Sequence, residues 1–370
     1  MTLFTHFSVL VDPRIDRTKH YPLASLVFLA IASVVANCES FSQMADFAEL
    51  RLDWLRKHGH FADGRTPSHD TLGNFFRRLD PKVFQRCFQQ WTTEVCRITE
   101  GRLIAIDGKT LRGSHDAFSG KKALHLISAW SSANQLVLAQ MKVDGKSNEI
   151  TAIPELLALL DLKGAVVSID AMGCQTHIAS TILGRGGHYL LGLKGNQGSL
   201  EKQVEMLFVH HAPSSTSEEI TKGHGRIERR TCAVIDQPRL IKTITGWENL
   251  RSLVRVCSSR QATSEAEPTE EVRFYISSAH PQEGAERFNS WVRQHWGIEN
   301  QVHWLLDVIF DEDGSRIRKG HADQNMATVR KTALNICRLS PDPKRSVNRQ
   351  RRAAALSEPY LDQLLGFKTR

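Results

Sequence analysis

The sequence predicts a mixed α/β protein with a helical N-terminal part and a β-rich insertion. Three observations carry that reading. Helical periodicity and capping signals fill residues 1–100. Three apolar runs at hairpin spacing then begin at Arg102 and give way to strand–helix–strand alternation. Residues 213–280 return to short strand-like runs between polar loops. A chain of 370 residues is also long enough for two or three domains.

The helical part contains PLASLVFLAIASVVANC, Pro22 to Cys38. Its basic flank invites a membrane or signal reading, but its roughly 15 apolar residues fall short of the roughly 20 that cross a bilayer. The preceding leader is polar with both charge signs, and Asn37 stands where a cleavage site needs a small residue. A buried bundle helix is expected, and no membrane partner. Phe41–Leu55 reads as a second helix and Ser68–Leu79 as another, capped by Ser68 or Thr66, with Pro67 and Asp70 suited to its first turn. Its exposed side would carry His69, Asn74, Arg77 and Arg78. Two helices across a Gly-containing turn suit a helix-turn-helix reader of DNA. An ordinary helical pair with a solvated basic face fits the same pattern.

From Arg102, the runs RLIAIDGKT, ALHLISAWSS and LVLAQMKVD predict three strands. A helix over Glu149–Leu160, the strand AVVSIDAMGCQ, a helix over Thr176–Gly184 and the strand HYLLGLKGNQ follow, which together indicate a mixed sheet with helices on its faces. In the insertion, RTCAVI, LRSLVRVCS and VRFYISS read as strands and QATSEAEPTEE as a loop; a long helical stretch resumes at Gly284 and runs past Asp307.

The formal charge of +8 favours an acidic partner. The excess is uneven, since Arg293–Arg352 holds 12 basic and 7 acidic residues. Seven cysteines, odd in number and never paired as C-x-x-C, point to reduced thiols in a cytosolic protein and away from a disulfide framework or zinc ribbon.

The chemistry rests on carboxylates. Asp107 and Asp170 each follow an apolar strand, where ligands gather in open α/β sheets. Asp107-Gly108 could instead be a hairpin turn, and Asp170 a helix cap. If their strands are neighbours the two charges repel, a conflict that a divalent cation removes; hard oxygen ligands suit Mg²⁺ or Mn²⁺. A third ligand is sought in SWVRQHWGIENQVHWLLDVIFDED. There His295, Glu299, His303 and Asp307 recur every four residues, drifting about 40° per step, and form a polar seam on an apolar helix. Glu299 as a magnesium ligand, a hydrogen-bonded buried stripe and an H-x₃-E-x₃-H zinc seam all remain open, although zinc would want a closed site or H-E-x-x-H spacing.

At this point the chain resembles the H-repeat-associated type of insertion-sequence DDE transposases. The matching pieces are YPLASLVFLAIASVVANCESF, TPSHDTLGNFFRRLDP, AIDGKTLRGS, HLISAW, KSNEITAIPELL, SIDAMGCQ, YLLGLKGNQ, GHGRIERR, RQHWGIENQVHWLLDVIFDEDGSRIRKG and NMATVRKTALN. They run in order over nearly the whole chain. The resemblance implies an RNase H-like catalytic core with Asp107, Asp170 and Glu299 as acidic triad and metal ligands, at gaps of 63 (170 − 107) and 129 (299 − 170) residues. It implies two Mg²⁺ ions, with Mn²⁺ as a substitute, Asp107 bridging them, Asp170 on one and Glu299 on the other. The reaction would be DNA cleavage at element ends followed by strand transfer, on double-stranded DNA carrying terminal inverted repeats and target sequence. A homodimer on DNA and a cytoplasmic, nucleoid-associated location in a bacterium follow as expectations.

One departure stands out. A Tyr-Arg-Glu-Lys signature of the broader group would place its other members at Val292, His295 and Leu306, so that only Glu299 matches, although Arg293 lies nearby. Expected phosphate contacts are Lys109, Arg112, Lys194, Asn196, Gln197, Arg226, Arg293, Arg316, Arg318 and Lys319, against the plain alternative of solvated charges and, for His224, a loop histidine. The basic tail PKRSVNRQRR would either track DNA or be disordered. The expected domains are 1–100 helical and DNA-binding, 101–212 core, 213–280 β-rich insertion, 281–340 core with the glutamate-bearing helix, and 341–370 basic tail. A regulator that kept the fold and lost catalysis, and a nuclease or junction resolvase without strand transfer, remain alternatives. A glycosidase is more distant, since its site would hold aromatic platforms and no basic surround.

Overall fold

A computed structural model describes residues 3–96, 102–116, 118, 120–143, 149–223, 226–261, 267–342 and 344–367. His224, Pro343, the start of the KSNEITAIPELL motif and the middle of the loop at 261–271 lie outside the described residues, as do the side chains of Thr18 and Arg226.

The N-terminal part is helical, as its periodicity predicts. In α1 (Leu23–Val35) every residue from Ser25 onward is buried, so the most apolar stretch of the chain is the core of a bundle. Among the described residues no helix is long and apolar enough to cross a membrane. Next comes α2 (Phe41–Leu50), opened by a Ser40–Gln43 capping box that satisfies two backbone N–H groups reciprocally. The single helix expected over residues 41–55 is broken at Arg51 (φ −117°, ψ 24°), and α3 (Leu52–Lys57) follows. There Arg51 donates to Glu358 Oε1 (2.7 Å) and to the Ala355 carbonyl (2.8 Å), so a distant contact fixes the break. Ser68 caps α4 (His69–Arg78), where it accepts from the Thr71 N–H, and Asp80 caps α5 (Pro81–Val95).

The sheet begins with β1 (Leu103–Leu111), β2 (Leu124–Ser131) and β3 (Leu136–Val143). After α6 (Glu149–Ala158) come β4 (Val166–Ile169), α7 (Thr176–Gly184), β5 (His188–Leu193) and α8 (Gly198–His210). The insertion supplies β6 (Ser215–Gly223), β7 (Arg226–Ile235), the single turn α9 (Pro238–Ile241), β8 (Ser252–Gln261) and β9 (Thr269–Ser277). The strand order is β3-β2-β1-β4-β5-β9-β8-β7-β6. Among the described residues only β1–β4 and β4–β5 pair in parallel. The first five strands form a mixed sheet, and β9 joins it antiparallel to β5, so the insertion continues the core sheet.

The chain closes with α10 (Gly284–His295), a π-helical turn over Glu299–His303, α11 (Trp304–Val308), α12 (Ala322–Arg338), α13 (Val347–Leu356) and α14 (Glu358–Leu364). All of Ala322–Cys337 is buried, polar residues included, because α12 lies between the helical part and the sheet. Its amides replace backbone partners on both sides. Asn335 bonds the N–H (2.9 Å) and carbonyl (2.8 Å) of Val137 beside a register shift in β2–β3. Asn325 donates to the carbonyls of Phe76 (2.8 Å) and Leu79 (2.9 Å) at the end of α4.

The tail is not disordered, and its Lys344, Arg349 and Arg352 stay exposed. Residues 347–356 and 358–364 are ordered helices, and Arg351 is fully buried, donating to the Val34 carbonyl at the end of α1 and to Glu39. Its charge serves packing and is out of reach of a phosphate.

Candidate active site

Asp107 lies inside β1, which corrects the view that it ends the strand or turns a hairpin. The parallel ladder with β4 stops at Ile106↔Ile169, while pairing with β2 continues through Asp107↔Ser128 to Leu111↔Leu124. Asp107 therefore sits where β1 parts from β4, and Asp170 is the residue just past the matching point of β4. Neighbouring strands lie about 4.8 Å apart, so both carboxylates rise from one rim. The Asp170 Oδ1 also accepts from the N–H groups of Met172 (3.1 Å) and Gly173 (3.4 Å), so the cap reading and the rim position hold together.

The polar seam docks α10 and α11 on that rim. His295 Nδ1 is 2.9 Å from Ser168 Oγ on β4, His303 Nδ1 is 3.5 Å from Asp107 Oδ2, and Asp307 pairs with Lys109 on β1. The hydrogen-bonded stripe is thus real for two of the four residues, His295 and Asp307, while His303 only approaches Asp107. Glu299 is exposed and its carboxylate has no hydrogen bond or ion pair among the described residues, which makes it the seam's one open carboxylate. The π-helical turn starts at Glu299, a local widening that occurs often at functional sites.

Burial pushes the Asp107 carboxyl up to about 7; the Gly108 N–H, 2.8 Å away, opposes this, while the charges of Asp170, Glu299 and Glu149 add to it. Asp170 keeps accessible surface, yet the enclosing walls raise its carboxyl as well; Glu149 adds to that rise and Lys194 offsets part of it. Burial pulls the His303 imidazole down to about 3, and its Nε2 is buried without a hydrogen-bond partner among the described residues.

This donor set suits a hard divalent cation: oxygen ligands, mutual repulsion and an open side. Among the described residues no group of three or more His, Cys, Asp or Glu side chains is gathered closely enough to hold a metal ion as it stands. The carboxylates converge without closing a coordination shell, and a zinc cage on the seam histidines has no support, since His295 and His303 face Ser168 and Asp107.

Several expected phosphate contacts are engaged elsewhere. Lys109 is only 10% exposed and its ammonium is held by Asp307 and by Glu312 (2.8 Å), so it fastens α11 to β1. Asn196 donates to the Ala171 carbonyl (2.5 Å) and Gln197 to the Cys174 carbonyl (2.8 Å), bracing the turn that holds Asp170. Arg318 donates to the Gly113 carbonyl (2.9 Å), and Arg293 pairs with Glu219. Arg112, Lys194, Arg316 and Lys319 stay exposed. On α4, His69, Asn74 and Arg78 are exposed and Arg77 half-buried.

Sequence reasoning missed one basic wall. Arg230 on β7, Arg260 on β8 and Arg273 on β9 line a cleft of about 430 Å³ together with Arg293, Trp296 and Glu299, and each is paired there with a carboxylate, Arg230 and Arg260 with Glu228 and Arg273 with Glu271. The Arg273 guanidinium stacks over the Trp296 ring at 4.2 Å. No local pattern groups them: one arginine comes from each of three strands, and the registers of β7–β8 and β8–β9 set them on one face.

Family models place these features in a wider context. The model described as "Transposase DDE domain" matches residues 98–336, and one described as "DDE_Tnp_1-associated" matches residues 4–92. The chain is 40% identical over 383 residues to "Putative transposase YncI" of Escherichia coli O157:H7, covering 100% of this chain and 97% of that protein. It is also 40% identical over 373 residues to "H repeat-associated putative transposase YhhI" of Escherichia coli strain K12, covering 98% and 97% respectively. A solved piggyBac transposase synaptic complex with hairpin DNA aligns over 99% of this chain and 78% of that one, at 11% identity and a TM-score of 0.45.

Proposed function

Starting from a chain that belongs to the transposases with a DDE domain, we propose that it cuts double-stranded DNA at the ends of a mobile element and joins those ends to target DNA. The observation that carries this reading is the rim itself. Asp107 stands on β1 and Asp170 just past the end of the adjacent parallel strand β4, and Glu299, the seam's one open carboxylate, starts the π-helical turn and acts electrostatically on Asp107.

Asp107, Asp170 and Glu299 would hold the divalent cations, Mg²⁺ or Mn²⁺. Bound there, such ions activate an attacking oxygen and stabilise a leaving one in phosphoryl transfer. The chain's own residues set the geometry. The Gly108 N–H orients one oxygen of Asp107, the turn braced by Asn196 and Gln197 fixes Asp170, and His295, His303 and Asp307 anchor the helix that presents Glu299. Arg230, Arg260 and Arg273 would exchange Glu228 and Glu271 for phosphates along β7–β9, with Arg112, Lys194, Arg316 and Lys319 on the other margins. A homodimer on DNA would bring two element ends together.

The test is cleavage of a duplex carrying the gene's own flanking DNA, with Mg²⁺ or Mn²⁺, beside Asp170→Asn and Glu299→Gln. Nicks at fixed positions and joined products, lost in both variants, support the proposal. Tight binding by all three proteins with no cleavage refutes it and leaves a DNA-binding protein without catalysis.

A further inference from the structure

A fourth carboxylate stands on the same rim, and the strand is shaped to receive it. Glu149 opens α6, where the partial positive charge of a helix N-terminus favours an anion. Its Oε1 lies 2.7 Å from His125 Nε2, and His125 Nδ1 lies 2.7 Å from Thr110 Oγ1, its partner across β1–β2. The pair rests against Gly108. A Cβ at that position would stand 2.4 Å from Glu149 Oε1 and 2.8 Å from His125 Nε2, so any side chain there would push the carboxylate away. The residue after Asp107 is thus a glycine whose missing side chain is the space Glu149 fills.

A plain ion pair between α6 and β2 would account for the 2.7 Å contact alone. It leaves unexplained why the glutamate is placed within electrostatic reach of two other carboxylates. Glu149 acts on both Asp107 and Asp170, and like charges converge at a cost unless a cation is to be attracted.

We propose that Glu149, oriented by His125, is a positioning residue that draws a divalent cation to the rim and fixes the Gly108 backbone beside Asp107. The proposal rests on the triad reading above.

The experiment is a Mn²⁺ titration of the full chain, with free ion followed by electron paramagnetic resonance, for the wild type, Glu149→Gln, His125→Ala and Asp107→Asn. Melting without metal reports the fold of each. Outer residues around metal ligands typically contribute about 10–100-fold in affinity, and a loss of that size is expected for Glu149→Gln, with unchanged melting. His125→Ala keeps all four carboxylates and should weaken binding in the same direction, which preserves the test should the glutamate variant not fold. Wild-type affinity in Glu149→Gln and His125→Ala, with loss in Asp107→Asn, overturns the inference and spares the triad. Unchanged affinity in Asp107→Asn as well overturns both.

Discussion

His303 Nδ1 stands 3.5 Å from Asp107 Oδ2, while the other ring nitrogen is buried without a hydrogen-bond partner among the described residues. The ring therefore joins the π-helical turn to β1 through a single polar edge and otherwise acts as a packed wall. Its loss should loosen both Asp107 and the turn that begins at Glu299. We expect His303→Ala to slow single-turnover cleavage by about 10–100-fold with duplex affinity unchanged, as for other supports of ligating groups. A wild-type cleavage rate would remove His303 from the account.

Glu312 and Glu299 are thirteen residues apart (312 − 299) and should fail in opposite ways. Glu312 is buried, and it is held ionised down to about 2: burial alone would raise it, but Lys331, Lys109 and Arg330 outweigh that. Removing one partner of a buried ionic cluster costs about 3–5 kcal/mol because the remaining charges lose compensation. Glu312→Gln should thus shift the urea midpoint strongly. Glu299→Gln, at an exposed position, should stay within about 0.5 kcal/mol of wild type and still abolish cleavage. Equal stability losses in the two variants would contradict this division.

Much of this was legible before any coordinates. Apolar runs at hairpin spacing and short apolar strands pointed to β1 to β5, and the four-residue seam pointed to the rim face of the closing helices. What failed was long-range in origin. The break at Arg51 depends on Glu358 and Ala355, some three hundred residues away, and no local pattern encodes it. Lys109 looked like a phosphate contact because a lysine beside an aspartate reads as exposed charge; its carboxylate partners arrive from residues 307 and 312. Arg351 sits in a run of basic residues whose composition suggests solvent, yet it is buried. Glu149 gave no signal at all, since only folding brings the start of α6 to Gly108.

Acid should weaken the helical part through His60. Its ring stacks on Phe28 (centroids 4.1 Å apart) and its Nδ1 lies 2.9 Å from Ser25 Oγ on α1. Burial, with a smaller push from His58, pulls its pKa from the ordinary 6.5 down to about 4. Between those values the unfolded chain holds a proton that the folded chain does not, so stability rises with pH across the window and falls on acidification. His60→Phe should flatten the dependence of the urea midpoint on pH between 4 and 6.5. An unchanged slope would show that other groups dominate there.

Arg351 provides a contrast between charge and fork geometry. Its Nε and Nη2 donate to the Val34 carbonyl at 3.1 and 2.9 Å, Nη2 also reaches Glu39 Oε1 at 2.5 Å, and the guanidinium lies 3.9 Å over the Phe310 ring. One planar group thus serves the end of α1, a half-buried carboxylate and the loop after α11. A lysine carries the same charge without the fork, so it can satisfy one of these partners at a time. Arg351→Lys should therefore be destabilised nearly as much as Arg351→Ala, by about 3 kcal/mol or more for the alanine, which leaves Glu39 uncompensated. Limited proteolysis should release α13 and α14 in both variants. The salt dependence of DNA binding should stay as in the wild type, because the side chain never reaches the surface. A lysine variant with wild-type stability would mean that charge alone holds the C-terminal helices in place.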